Sequence, residues 1–172
     1  MPMTMVGANI NGKPNYITIA HVGIMDLGSV SLAMNRVHYT NDGIKENKTF
    51  SVNIPSISMV KETDYCGLVS GKDVDKAALF SVYYGELVTA PMITECPLSF
   101  ECRLQTTVEN PTNNLYIGEI IASYTEEKYL TEGKPDIKKL NPLLLTMPDN
   151  RYWTVGEYAG DAWSIGKNLI RK

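Results

Sequence analysis

The sequence of 172 residues has two histidines, His21 and His38, and three cysteines, Cys66, Cys96 and Cys102. Two histidines leave no histidine-rich metal site. Cys96 and Cys102 do not stand at zinc-ribbon spacing, and Cys66 does not complete a set of four, so no metal is expected. An odd cysteine count without the density of a disulfide scaffold fits a reducing compartment, and a cytoplasmic protein is expected. No apolar run approaches the roughly 18 residues that cross a bilayer. The opening stretch, MPMTMVGANINGKPNY, lacks the positive and continuously apolar regions of a secretory leader. Neither a membrane nor a nucleic acid is therefore an expected partner. Basic residues are scattered and the net charge is −3, the wrong balance for gripping a phosphate backbone. No G-x-S-x-G nucleophile elbow occurs. A chain so poor in acid–base and metal-binding groups, if it is an enzyme, is expected to borrow its hard chemistry from a cofactor.

What is present reads as one globular domain over residues 1–172, with 44% hydrophobic and 20% charged residues. Short β-type runs dominate: YITIAHV (16–22), GSVSLAM (28–34), TFSVNI (49–54), SFECRLQTTV (99–108) and NLYIGEIIASY (114–124). The fourth alternates most clearly, with Phe100, Cys102, Leu104, Thr106 and Val108 on one side and Glu101, Arg103, Gln105 and Thr107 on the other. Cys102 thus reads as a small core residue. Gly118, inside the last run, suggests a bulge or a close approach by other atoms. Helical pieces are expected at 40–47, 56–67, 71–79 and 134–140, and the tail 156–170 is compatible with a helix. Several strands joined by short helices predict a mainly β fold, a barrel or a sandwich.

One stretch, SGKDVDK (70–76), resembles a phosphate loop. It fails the P-loop pattern: Gly67 and Gly71 are one residue too close, and Asp73 stands where a magnesium-binding Ser or Thr belongs. A capping box is the better local reading, with Ser70 and Asp73 opening a helix toward Phe80. On such a helix Lys72 and Lys76 share a face near the positive end, an arrangement that an anion between them would relieve.

Several motifs, in order, resemble the flavin reductase-like FMN-binding split-barrel family, closest to its flavoredoxin branch. They are KPNYITIA (13–20), SLAMNRVHYT (31–40), FSVNIPS (50–56), DYCGLVSGKDVDK (64–76), APMITECPLSFECRL (90–104), YIGEI (116–120) and GEYAGDAWSIGK (156–167). The resemblance implies a Greek-key-like split β-barrel and a homodimer binding FMN without a covalent bond. It implies that Asn15, Thr18, Ala20 and His21 lie along the flavin ring. Ser31, Asn35, Arg36, Tyr39 and Thr40 would meet the ribityl chain and phosphate. Lys76 would reach the phosphate, and Asn53 would lie near the cofactor. A phosphate monoester carries roughly −1.5 to −2 charges, which Arg36 and Lys76 would neutralise while the Thr40 hydroxyl adds a hydrogen bond.

The same residues have plainer readings. Arg36 is compatible with a surface charge, Thr40 with a helix N-cap, Asn53 with a turn, and Thr18 and Ser31 with ordinary strand positions. The chain also departs from the family pattern. GIMDLGSVSL lacks a Pro-Pro common in relatives, and His21 stands where a bulky ring-facing residue is usual. Asn113, in PTNNLYIGEI, replaces a histidine that lies near flavin and nicotinamide in flavin reductases. The expected function is that of an FMN-dependent oxidoreductase or electron carrier. NADH or NADPH would be the donor in one variant. A redox protein partner is the donor in the other, which the missing histidine favours. The alternative is a cofactor-free split-barrel binding module.

Overall fold

The computed structural model describes residues 1–169. Seven strands form the main sheet: β1 (Thr4–Ile10), β2 (Lys13–Ile19), β3 (Val22–Asp26), β4 (Ser29–Asn35), β5 (Thr49–Ile54), β8 (Leu98–Glu109) and β9 (Asn113–Thr125). Two-residue strands β6 (Val82–Tyr83) and β7 (Met92–Ile93) form a separate small ribbon. The sheet order is β2-β1-β5-β8-β9-β4-β3, with every neighbouring pair antiparallel. β2 also packs against β4, so the sheet curls into a barrel. The chain jumps across this order between β2 and β3 and again between β4 and β5, which makes the connections Greek-key-like. The expected β-barrel class is the observed one.

Two helices lie against the β1–β2 end of the sheet: α1 (Thr40–Asn47) and α2 (Val60–Leu68). Gly43 lets α1 lie close on β1, because an added Cβ would come within 2.3 Å of the Asn9 carbonyl oxygen. Asn47 Nδ2 ties the same helix to that carbonyl at 2.8 Å. α2 is fastened by the Thr18 hydroxyl, which donates to the Thr63 carbonyl. The barrel interior is filled by Val6, Ile17, Leu32, Met34, Phe50 and Tyr116 with their neighbours. Met5, Tyr16, Cys66, Ile93 and Cys96 form a second cluster. β1 contributes to both, so all seven of its residues are buried.

Several expectations need correction. The run 16–22 is not one strand: it holds the end of β2, a break at Ala20–His21 and the start of β3. The alternation in β8 holds for Phe100, Cys102 and Leu104 but is broken by an irregularity between Leu104 and Thr106, beyond which Val108 is exposed. Glu101, expected on the solvent side, is fully buried and accepts from the amides of Glu86 and Leu87 and from the Tyr124 hydroxyl. The stretch 71–79 is a turn followed by a short 3₁₀ segment, Lys76–Leu79, instead of a helix. Its cap is Asp75, which accepts from the Ala77 amide at 3.0 Å, while the Ser70 hydroxyl accepts from Lys72. Lys72 and Lys76 therefore share no helix face. The tail is built of turns and a 3₁₀ segment, Lys167–Leu169; Ile170, the last residue of the expected helix, lies outside the described residues.

Near the C-terminus, α3 (Ile137–Leu140) is capped by Asp136, which accepts from Lys138 and Lys139. The close approach expected at Gly118 is present: a Cβ there would come within 2.4 Å of the Phe50 ring. All three cysteines are buried and free, and burial pushes the Cys102 thiol up to about 12.

Candidate functional site

The N-terminus of α1 and the C-terminus of α2 enclose a cavity of about 260 Å³ over β2. Asn15 and Ile17 of β2 form its floor, residues 37–40 one wall, and residues 67–71 the other. Lys76 closes it. The sequence folds this way locally because Asn35 shapes the turn before α1. Its carboxamide oxygen accepts from the Val37 amide at 3.1 Å, an Asx-type turn that frees the following backbone.

Lys76 is only 3% exposed. Its Nζ donates to the Cys66 carbonyl at 2.8 Å, stabilising the last turn of α2. No carboxylate pairs with it among the described residues. Burial, with no acid to offset it, lowers its pKa from the usual lysine value. A buried ammonium with one carbonyl partner keeps two further N–H donors for the cavity it lines.

Thr40 is 1% exposed and accepts from Asn15 Nδ2 at 2.7 Å. Its hydroxyl proton is consequently left to donate elsewhere. The sequence reading of Thr40 as an N-cap is corrected: Thr40 is the first helical residue, and Tyr39 occupies the cap position without a side-chain bond. The Tyr39 and Thr40 amides have no acceptor among the described residues. A Cβ at Gly71 would stand 1.8 Å from Asn15 Oδ1, so any larger residue must displace that carboxamide. His38 also lines the cavity; burial, and then the Lys76 charge, lower its pKa below the usual imidazole value. Together these groups offer a charge, a hydroxyl donor and helix N-terminal amides to a compact dianion, and a phosphate monoester fits that donor set.

The twelve residues expected to touch the cofactor do not all gather here. Asn15, Tyr39, Thr40 and Lys76 do. Thr18 is half-buried and holds α2. Ala20 and His21 sit at the break after β2, beyond its far end from Asn15, and His21 is exposed. The Ser31 hydroxyl donates to the Gly23 carbonyl at 3.3 Å across β3–β4. Arg36 is exposed and faces the β8–β9 turn, with Nη2 3.4 Å from Glu109 Oε2. Asn113 opens β9 opposite Asn35. Asn53 is fully buried in the sheet: its Nδ2 donates to the Met5 carbonyl and Ser51 Oγ, and its Oδ1 accepts from the Ile93 amide and Ser99 Oγ. Those four bonds use its whole hydrogen-bonding capacity. His38, Ser70 and Gly71 line the cavity without having been singled out as ligands. Their signal was proximity: His38 precedes Tyr39-Thr40, and Ser70-Gly71 opens the stretch that closes on Lys76.

The family model described as flavin reductase like domain matches residues 1–152. The chain belongs to this family. Among solved structures it is similar to the flavoredoxin from Methanosarcina acetivorans, 57% identical with a TM-score of 0.97, covering 99% of this chain and 92% of that one. It is also similar to the flavoredoxin of Desulfovibrio vulgaris (Miyazaki F), 33% identical with a TM-score of 0.90, covering 96% and 92%. An uncharacterised protein of Archaeoglobus fulgidus is 33% identical over 129 residues, 73% of this chain and 72% of that one. Among the described residues no helix is long and apolar enough to cross a membrane, and no cluster of three or more His, Cys, Asp or Glu is arranged for a metal.

Proposed function

We propose that this chain is an FMN-binding flavoprotein of the flavoredoxin type, exchanging hydride or electrons through a non-covalently held FMN. The observation that carries this reading is Lys76: a buried ammonium without a carboxylate, facing a cavity, in a chain of the flavin reductase-like family. An unpaired buried charge is costly, and a phosphate dianion supplies the missing partner.

In this reading Lys76, Thr40 and the Tyr39 and Thr40 amides hold the 5′-phosphate, and Asn15 orients the Thr40 hydroxyl. The ribityl chain and ring run along β2 toward Ala20 and His21, near Ser31 on the facing strands. Arg36 joins the phosphate only by leaving Glu109, and an exposed pair of that kind is worth about 0–1 kcal/mol. Thr18 and Asn53 act by fixing the framework. When bound, FMN supplies the hydride and electron chemistry; the protein binds it, orients it and excludes water from its phosphate.

Asn113 stands where flavin reductases place a histidine, and a carboxamide does not take up or release a proton near neutral pH. The donor is therefore a redox protein in preference to NADH or NADPH. The working unit is a homodimer, a reading supported by large apolar side chains left exposed at Leu27, Leu68 and Trp163.

Isothermal titration with FMN and with riboflavin tests the first claim. FMN is expected to bind with micromolar or better affinity and riboflavin more weakly, since it lacks the phosphate. Equal affinities, or no FMN binding, would sink it. NADH and NADPH oxidation by the FMN-loaded protein tests the donor. Rapid turnover with either nucleotide overturns the protein-donor assignment. Light scattering reads the oligomer directly, and a monomer at micromolar concentration removes the dimer.

A further inference from the structure

The turn that presents the Tyr39 and Thr40 amides is held from behind by a residue that does not line the cavity. Asn41, second in α1, is buried. Its Nδ2 donates to the Asn35 carbonyl at 2.8 Å and to the His38 carbonyl at 2.7 Å. Its Oδ1 accepts from the Tyr116 hydroxyl at 2.7 Å and from Asn114 Nδ2 at 3.2 Å. These bonds use the whole capacity of its carboxamide. We propose that Asn41 is a positioning residue for the flavin phosphate: anchored by Tyr116, it fixes residues 35–40 so that the Tyr39 and Thr40 amides are aimed before the ligand arrives. The inference rests on the flavin reading above and deepens it.

The turn is open to water on its outer side. Asn35, Arg36 and Val37 are exposed, and Tyr39, at the cap of α1, makes no side-chain bond. Two backbone bonds close the turn, from the His38 amide to the Asn35 carbonyl and from the Asn41 amide to the His38 carbonyl, both 3.1 Å. Asn41 Nδ2 gives each of these two carbonyls a second, shorter bond. Donors already fixed in place bind an anion better than donors that binding must first order. The clamp therefore acts on the phosphate alone, through the turn, and not on the ring.

The barrel supplies the anchor. Asn114 and Tyr116 stand two apart on β9 and so share a face; both are fully buried, opposite Met34 and Leu32 of β4. Tyr116 packs in the barrel interior, where a phenylalanine would fill the same space. Its hydroxyl has one acceptor among the described residues, Asn41 Oδ1. Asn114 turns its Nδ2 to the same oxygen, which leaves its own Oδ1 without a partner among the described residues. The reversed carboxamide would set two oxygens against each other at Asn41. The direction of Asn114 thus follows Asn41, at the cost of an orphaned carbonyl.

Titration calorimetry of the full chain with FMN and with riboflavin, beside thermal melts, tests this in Asn41→Ala, Tyr116→Phe and Asn47→Ala. Asn47 is the control: it ties the other end of α1 to the Asn9 carbonyl, and its side-chain bonds reach neither the turn nor the cavity. Asn41→Ala is expected to weaken FMN about tenfold and Tyr116→Phe about threefold to fivefold, with riboflavin within about twofold in both. Asn47→Ala is expected to lower the melting temperature and to keep the wild-type ratio of FMN to riboflavin affinity. Tyr116→Phe leaves the core filled and carries the test if Asn41→Ala does not fold. An unchanged ratio in either turn variant, or an equal fall of the ratio in Asn47→Ala, overturns the inference and leaves the FMN reading standing. A wild type that binds FMN no better than riboflavin removes the flavin-phosphate reading and this inference with it.

Discussion

Asn53 and Lys76 are both buried polar side chains, and both are implied as cofactor contacts by the family resemblance. The fold treats them in opposite ways. Asn53 sits among β1, β5, β7 and β8, and all four of its hydrogen-bonding positions are filled from within the sheet. Around it Ser51 donates to the Pro91 carbonyl and Ser99 to Asn53 itself, so the cluster is closed. Lys76 sits between two helix ends, holds one carbonyl and faces a cavity. A saturated polar cluster specifies a sheet register; an unsaturated one beside a cavity is available to a ligand. The number of donors left over, more than burial or charge, separates the two.

The largest expected effect comes from breaking the saturated cluster. Asn53→Ala strips partners from the buried Ile93 amide, the Ser99 hydroxyl and the Met5 carbonyl. At roughly 1–3 kcal/mol for each group left unsatisfied, it should cost about 3 kcal/mol or more. A thermal melt should then fall by roughly 6–12 °C, while the folded fraction keeps its FMN affinity. A loss of FMN affinity without a change in melting would reverse the comparison.

Lys76→Met should do the opposite. The variant removes the cost of an unpaired buried charge but leaves the Cys66 carbonyl without its donor, two opposed effects that should leave the ligand-free melting temperature nearly unchanged. FMN affinity should drop by about 1.5–3 kcal/mol, the range for a charge-assisted hydrogen bond, and riboflavin affinity should change little. An equal loss for both ligands in titration calorimetry would mean that Lys76 acts through the fold.

Gly71→Ala probes how the cavity is supported. Its Cβ would displace the Asn15 carboxamide and release Thr40 from its orienting bond. We expect FMN to weaken by about 1 kcal/mol, the size of one neutral hydrogen bond, with a smaller change in stability. Thr40→Val, which keeps the shape and removes the hydroxyl, should give the same FMN loss without displacing Asn15.

The smallest effect concerns pH. His38 has its folded pKa depressed, first by burial and then by Lys76. Between that value and its unfolded value near 6.5, the unfolded chain binds more protons, so stability rises with pH. Ligand-free protein should therefore be most stable above about pH 6.5 and lose stability as the pH falls through the folded pKa. In urea melts at a series of pH values His38→Gln should flatten that slope; an unchanged slope would show that other groups carry it.

Much of the barrel was readable. β4, β5, β8, β9 and α1 fall within a residue or two of their expected limits, because each has a clear period and a clear stop. β1 was not read at all. It lies between β2 and β5 with all its residues buried, so it has no polar face to produce an alternation. The β2–β3 break was hidden for a related reason. The β-branched character runs through it, and only the change of partner, β2 with β1 and β3 with β4, ends the first strand. Glu101 looked solvent-facing because it alternates with Phe100 and Cys102, yet its side of the strand is covered by the chain at Glu86 and Leu87, whose amides meet it.

The site divides along the same line. The sequence alone determined that the chain is a β-rich domain poor in groups for its own chemistry, and its motif series carried the family. The resemblance also singled out Lys76, whereas the local pattern only paired it with Lys72 on a helix face that the fold does not form. Local pattern cannot say which polar residues keep a free donor. The tertiary structure decided that Asn53 is saturated, that Arg36 faces Glu109, and that Thr40 accepts from Asn15 and so has its own proton to give. Hydrogen bonds saturate through partners distant in the chain: Asn53 and Ser99 lie 46 residues apart, and Asn15 and Thr40 lie 25 apart. Only the folded chain brings those partners together.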